Sequence, residues 1–189
     1  HHSKQNLLDL RAALDALTLE ADGVDGSEIY LYGEGWNFGE VANDARFVQA
    51  TQLNMGGTGI GTFTDRLRDA VRGGGPFDSN PRIQGFATGL YTDPNGDPVS
   101  GTTPQDQLAR LLQHQDQIKV GLAGNLADYE FVDRTGAVVT GKDVDYNGQP
   151  AGYADDPSET ITYVDAHDNE TLFDVIQHRL PVPTSMTAR

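Results

Sequence analysis

The chain has 189 residues, 37% of them hydrophobic, enough for one domain with a sizeable core. Against 13 basic residues stand 28 acidic ones, a formal charge of -15, which argues against a nucleic-acid-binding face and against docking on anionic lipid. The absence of cysteine excludes a disulfide framework, a thiolate nucleophile and a Cys-type zinc site, and no apolar run approaches the length of a membrane span.

From the N-terminus, Ser3 is placed to cap a helix running to about Leu17, with Leu7, Leu10, Leu14 and Leu17 as one apolar stripe. A polar turn at 22–27 leads to Ile29-Tyr30-Leu31-Tyr32-Gly33-Glu34-Gly35-Trp36. Here an apolar and aromatic run ends in a carboxylate between two glycines, followed by the only tryptophan. The pattern predicts a buried strand at 29–32 that delivers an acid to an open cleft beside an aromatic platform. The plainer reading is a strand that ends in a loop with a solvated Glu.

Residues 37–52 are polar and irregular. Gly56-Gly57-Thr58-Gly59-Ile60-Gly61 then precedes a stretch, 62–71, that reads as helix. The glycine spacing is not G-x-G-x-x-G and no Walker lysine follows, so a turn or tight backbone packing is the better reading than a phosphate cradle. A long Gly/Pro/Asn/Asp segment occupies 73–103; loops of that length are usually functional or mobile.

Thr103-Pro104 opens a helix, with Asp106 completing a capping signature and Leu108, Leu111, Leu112, Gln115, Ile118 and Leu122 as its inner face. The stretches 129–132 and 137–140 flank Asp133-Arg134-Thr135-Gly136 as a hairpin. Asp143-Val144-Asp145-Tyr146-Asn147-Gly148 matches the first half of an EF-hand calcium loop. Its twelfth position is Ala154, where a bidentate Glu is needed, so an Asx-rich turn is favoured and calcium ligation is the second reading. A strand at 161–165 again ends in polar residues, Ala166-His167-Asp168-Asn169, before a helix at 171–178 that Pro181 and Pro183 stop.

Helix, loop and strand in succession predict an α/β layer. In a parallel layout the strand C-termini share one face, which would bring Glu34 and Asp168 together. Paired carboxylates flanking a bond are the equipment of glycoside hydrolysis. One must be held protonated, as a partly apolar pocket beside Trp36 would do by desolvation. His167 adds a donor next to Asp168, or is a residue oriented only by its turn. Three metal ligands at defined spacing are not evident, so no metal cofactor is expected apart from the calcium reading above.

Tyr30-Leu31-Tyr32-Gly33-Glu34-Gly35-Trp36-Asn37 strongly resembles the strand-five motif of pullulanases and limit dextrinases, within glycoside hydrolase family 13 of the α-amylase superfamily. The segment 58–73 resembles their strand-six to helix-six region. Gly121-Leu122-Ala123-Gly124-Asn125-Leu126, Asp145-Tyr146-Asn147-Gly148 and Gly152-Tyr153-Ala154 look like their following insertion. The segment 163–172 resembles their strand-seven motif.

The resemblance implies hydrolysis of α-1,6-glucosidic linkages in pullulan, amylopectin or limit dextrins, with retention through a glycosyl-enzyme intermediate. It implies Glu34 as general acid/base and Asp168 as the carboxylate that holds sugar hydroxyls and favours the distorted ring of the transition state. His167 would hydrogen-bond the same sugar, and Trp36 would line the cleft.

The family's nucleophile, an Asp at the end of strand four, has no match here. Its motif leads into residues similar to His1-His2-Ser3-Lys4, which makes the two histidines native sequence rather than a tag. A closed (β/α)8 barrel takes about 250 residues. The expected fold is therefore a partial TIM barrel: 1–189 as the C-terminal portion of a catalytic barrel, supplying about strands five to seven and their helices, with a long loop or insertion at about 73–160. The expected partners are an α-glucan and the remainder of the barrel, with neither nucleic acid nor membrane, and the chain alone is expected to be inactive. The compartment stays open, leaning to a secreted or cell-surface bacterial setting. The alternatives are another α-glucan hydrolase or transferase of the superfamily, or a non-catalytic carbohydrate-binding fragment.

Overall fold

The computed structural model describes residues 2–189; His1, the first of the paired histidines, lies outside the described residues. Helix α1 (Lys4–Asp15) starts where the Ser3 hydroxyl accepts the Asn6 N–H at 3.1 Å. It stops at Asp15 rather than Leu17 because Thr18 caps a separate turn, α2 (Leu19–Asp22), closed by Gly23 at φ 72°. The leucine stripe is only half covered: Leu7, Leu14 and Leu17 are half-buried and Leu10 is exposed. The Arg11 guanidinium donates to the carbonyls of Ile29 and, at 2.6 Å, Gly26, tying α1 to the approach of the first strand.

Then come β1 (Tyr32–Gly33), α3 (Gln52–Met55), β2 (Gly61–Phe63) and α4 (Asp65–Arg72). β1 pairs with β2 in parallel, Tyr32 opposite Gly61. Two sequence expectations are corrected here. The first strand falls at 32–33 and not 29–32, because Ile29 still closes a 3-10 turn; nor is it buried, since Tyr32 is 55% exposed on an edge strand. The stretch 62–71 is not one helix. Thr62 and Thr64 are β-branched and extended, so the chain is a strand through Phe63 and turns helical only at Asp65.

α4 is built around buried arginines. The Arg66 guanidinium sits 4.7 Å from the Tyr153 ring centroid and 5.0 Å from that of Tyr146, and it pairs with Asp65 at 2.6 Å. These contacts fasten α4 to the segment that follows the next helix.

That helix, α5 (Pro104–Leu122), opens with the expected capping box: the Thr103 hydroxyl accepts the Asp106 N–H, and the Asp106 carboxylate accepts the Thr103 N–H, each at 3.1 Å. Its most buried residues lie beside the expected face: Asp116, Gln117, Val120 and Gly121 are buried, Leu111, Leu112, Gln115 and Ile118 are half-buried, and Leu108 and Leu122 are exposed. Close packing on α4 sets this rotation, since a Cβ on Gly121 would lie 2.8 Å from Leu67 Cβ. Fully buried Asp116 accepts Lys119 Nζ at 3.1 Å and the Arg134 backbone N–H at 3.0 Å. It thereby holds the expected hairpin, β3 (Glu130–Val132) and β4 (Val138–Thr140), against the helix.

A second hairpin, β5 (Asp145–Tyr146) with β6 (Gln149–Pro150), turns through Asn147 and Gly148 at φ 52° and 81°. This is the segment read as half a calcium loop. Its carboxylates face local backbone: Asp143 accepts the Thr140 N–H at 2.9 Å and Asp145 the Gly148 N–H at 3.0 Å, as in an Asx turn. Val120, Val144, Tyr146 and Ala151, with Phe131 and Val139 against them, form a core here.

β7 (Thr160–Ile161) pairs in parallel with the other edge of β2, giving the order β1-β2-β7. It ends earlier than the expected strand 161–165, because β2 has given way to α4 and Tyr163 turns to meet Arg68 of that helix. α6 (Leu172–Arg179) starts from a Thr171–Asp174 capping box and ends before Pro181. The architecture is α/β with an open parallel sheet that does not close on itself. Among the described residues no helix is long and apolar enough to cross a membrane.

Candidate active site

β1 runs out into Gly33-Glu34-Gly35-Trp36. Gly35 has φ +73°, and a Cβ there would lie 2.7 Å from Thr62 Cβ, so only glycine lets the chain turn this closely over β2. The Gly35 carbonyl accepts the Gln52 N–H at 2.9 Å. The buried Gln52 side chain in turn donates to the Phe63 carbonyl at 2.7 Å. Gln49 Nε2 donates to the Trp36 carbonyl at 3.2 Å. Glu34 therefore lies on a loop pinned on both sides. Its side chain is exposed rather than sunk in the apolar pocket expected from sequence, because it follows an edge strand. The loop also borders a cleft of about 350 Å³ that extends to His2 and Leu7.

Because β1, β2 and β7 are parallel, the segment 162–169 leaves the sheet from the same end as Glu34. Aromatic rings run across the three strands: Tyr32 to Phe63 at 6.0 Å between centroids, then Phe63 edge-on to Tyr163 at 5.5 Å. Arg68, buried in the first turns of α4, spans the two strand ends. Its guanidinium lies 6.0 Å from the Trp36 ring centroid and donates to the Tyr163 hydroxyl at 2.7 Å. Burial disfavours the Arg68 cation, but the Asp69 carboxylate 2.7 Å away, with Tyr163 and Asp65, more than offsets this, so its pKa stands above the ordinary value. Burial raises the Asp69 carboxyl, opposed by Arg68 and by the Tyr146 hydroxyl that donates to it at 2.7 Å.

His167 and Asp168 are both exposed. Asp168 Oδ1 accepts Asn169 Nδ2 at 2.8 Å, and Asn169 Oδ1 accepts Arg72 Nη1 at 2.5 Å. Of the four residues expected from sequence, Glu34 and Trp36 share one loop and His167 and Asp168 another. Arg68 joins the Trp36 loop to the chain that leads into the second.

Sequence reasoning missed Arg68, Arg72 and Asn169. The available signal was the run Asp65-Arg66-Leu67-Arg68-Asp69-Ala70-Val71-Arg72, whose like charges repeat too closely for one solvated helix face. The glycine-rich run has a local acceptor: Glu159 takes the Gly59 N–H at 2.7 Å, in line with tight backbone packing. Among the described residues no group of three or more His, Cys, Asp or Glu is arranged to hold a metal ion.

Carboxylates on loops that leave one end of a parallel sheet, here beyond the two outer strands β1 and β7, are a placement used by α/β enzymes, and that is the class to which fold and site point. No protein-family model matches the chain. Pullulanase 1, chloroplastic, of Arabidopsis thaliana is 48% identical over 191 residues, covering 100% of this chain and 19% of that protein. Pullulanase of Klebsiella aerogenes is 43% identical over 192 residues, covering 100% of this chain and 16% of the relative. The maltotriose complex of PulA from Klebsiella pneumoniae superposes with a TM-score of 0.83 at 40% identity, over 99% of this chain and 19% of that one. The chain is homologous over its whole length to one segment of the pullulanases, and it spans less than a fifth of the length of these relatives.

Proposed function

We propose that this chain is the acid/base-bearing part of a retaining debranching enzyme that hydrolyses α-1,6-glucosidic linkages in pullulan, amylopectin and limit dextrins. In this reading β1, β2 and β7 are strands five, six and seven of a (β/α)8 barrel, and other parts of a longer protein supply the rest. The observation that carries it is the exit of Glu34 and of the Asp168 loop from one end of a parallel sheet. Homology along the full chain to pullulanases supports the assignment, and a relative's maltotriose complex supports an oligosaccharide ligand.

Glu34 first donates its proton to the glycosidic oxygen as the C–O bond breaks, and then removes a proton from the water that releases the glycosyl intermediate. No residue of this chain is assigned as the nucleophile of the first step; in this reading another part of the longer protein supplies it. The carboxylate of Asp168 accepts hydrogen bonds from sugar hydroxyls, with His167 as a further donor, and Trp36 offers its face to a neighbouring glucose.

The test is hydrolysis of pullulan by the full-length protein and its Glu34→Gln variant. Release of maltotriose, lost in the variant, is expected. Panose-type products, or unchanged turnover by the variant, would overturn the reading.

A further inference from the structure

Arg72 ends α4 and is 1% exposed, yet among the described residues its side chain makes no ion pair within hydrogen-bond distance. Asp69 is already engaged by Arg68 and Tyr146. The Arg72 guanidinium instead donates through Nη1 to Asn169 Oδ1 at 2.5 Å, and Asn169 Nδ2 donates to Asp168 Oδ1 at 2.8 Å. A primary amide accepts at one end and donates at the other. Here each end meets a charge of the right sign, so both bonds are charge-assisted. A flipped amide would set its NH2 against the guanidinium and its oxygen against the carboxylate. The cation therefore fixes the amide, and the amide fixes one oxygen of Asp168.

Arg72 is also a poor residue for stability at this position. Among the described residues its Nε and Nη2 are buried without hydrogen-bond partners. An apolar side chain of similar length would avoid that desolvation cost. We propose that Arg72 is a positioning residue, orienting Asp168 through the Asn169 amide. This rests on the reading of Asp168 as the sugar-holding carboxylate.

The experiment is a double-mutant cycle in the full-length enzyme, with pullulan kinetics and thermal unfolding measured on each variant. Arg72→Met and Asn169→Leu are each expected to lower kcat by about 100-fold, the scale of a misplaced catalytic group. The double variant is expected to lose no more than the worse single variant, since both break one chain of contacts. Arg72→Met should keep or raise the melting temperature, and Arg72→Lys should recover part of kcat. A kcat within twofold of the parent for either single variant, or losses that multiply in the double variant, would overturn the proposal.

Should Arg72→Met not fold, Asn169→Asp carries the test. It still accepts from Arg72 but donates nothing and sets a second carboxylate beside Asp168. Parent-level kcat in Asn169→Asp contradicts the relay. Asp168→Asn separates the two levels: parent-level kcat there overturns the reading of Asp168 and the relay with it. Loss there alongside intact Arg72→Met and Asn169→Leu overturns the relay alone.

Discussion

Arg68 and Trp36 meet across the end of the sheet, the guanidinium carbon 6.0 Å from the indole centroid. The same guanidinium donates to Tyr163 at 2.7 Å and pairs with Asp69 at 2.7 Å, so one buried cation connects the loop after β1 to the chain after β7. Under the proposed function, an indole held this way would lose less rotamer freedom on stacking against a sugar.

Replacing Arg68 with Met in the full-length enzyme removes a cation–π contact of about 1 kcal/mol, a charged hydrogen bond of about 1.5 kcal/mol and the cation paired with buried Asp69, so stability is measured beside activity. The expected result is a fall in kcat/KM of roughly 10-fold or more, carried mainly by KM, because the acid itself is untouched. Steady-state kinetics on pullulan checks it. A change confined to kcat contradicts the role given to Trp36.

Glu34→Gln keeps the shape and removes the proton that the proposed function has Glu34 transfer. The expected loss in kcat is about 10²- to 10⁴-fold with KM changed by only a few fold. Unaltered kcat would support a binding-only role for Glu34.

Gly35→Ala tests the turn that sets the acid. The new Cβ would stand 2.7 Å from Thr62 Cβ at a backbone φ of +73°. The strain, about 1 kcal/mol for the left-handed conformation alone, is relieved by shifting the loop. Activity is expected to fall by about 100-fold. Gly33→Ala, whose Cβ would meet nothing within 4 Å, is expected to cost far less. Equal effects of the two substitutions would show that the close approach over β2 does not position Glu34.

Glu159 gives a pH dependence of stability. Burial pushes its carboxyl up, but backbone N–H groups of Gly59, Asp155 and Asp156, at 2.7, 2.9 and 3.2 Å, outweigh burial and hold it below the ordinary range. The unfolded value is about 4.3. A depressed folded value means the stabilisation is complete above that pH and is lost as pH falls through the folded value. Glu159→Gln turns an amide NH2 toward backbone donors, so it is expected to cost about 1–3 kcal/mol at neutral pH. It should also flatten the acid limb of the stability curve. Urea unfolding of both proteins between pH 3 and 7 checks this, and parallel curves contradict it.

Capped, periodic elements were legible in the sequence, because their signals are local. Ser3 with α1, the Thr103–Asp106 box with α5, and the turn at Asp133 to Gly136 are examples. β2 was not legible in the residue pattern, because three residues beside glycines and a polar helix start carry too little alternation to stand out; only the resemblance of 58–73 to a strand-six to helix-six region pointed to it. The inner face of α5 was read only in part, because close approach at Gly121, a small residue, turns the helix so that Leu108 and Leu122 are exposed while the other expected residues are half-buried. Glu34, Trp36, His167 and Asp168 stood out as titratable and aromatic residues at strand ends. Arg68, Arg72 and Asn169 did not, since their roles depend on partners up to 97 positions away, as in the Arg72–Asn169 bond.

The convergence of Glu34 and Asp168 on one glucose is tested most directly by a crystal structure of the full-length enzyme carrying E34Q, with an α-1,6-branched oligosaccharide bound. The account predicts the side chain at position 34 within about 3 Å of the bridging oxygen, with Asp168 accepting hydroxyls of the glucosyl unit on the cleaved side. A branch point bound with these two side chains on different sugars, or away from both, would contradict it.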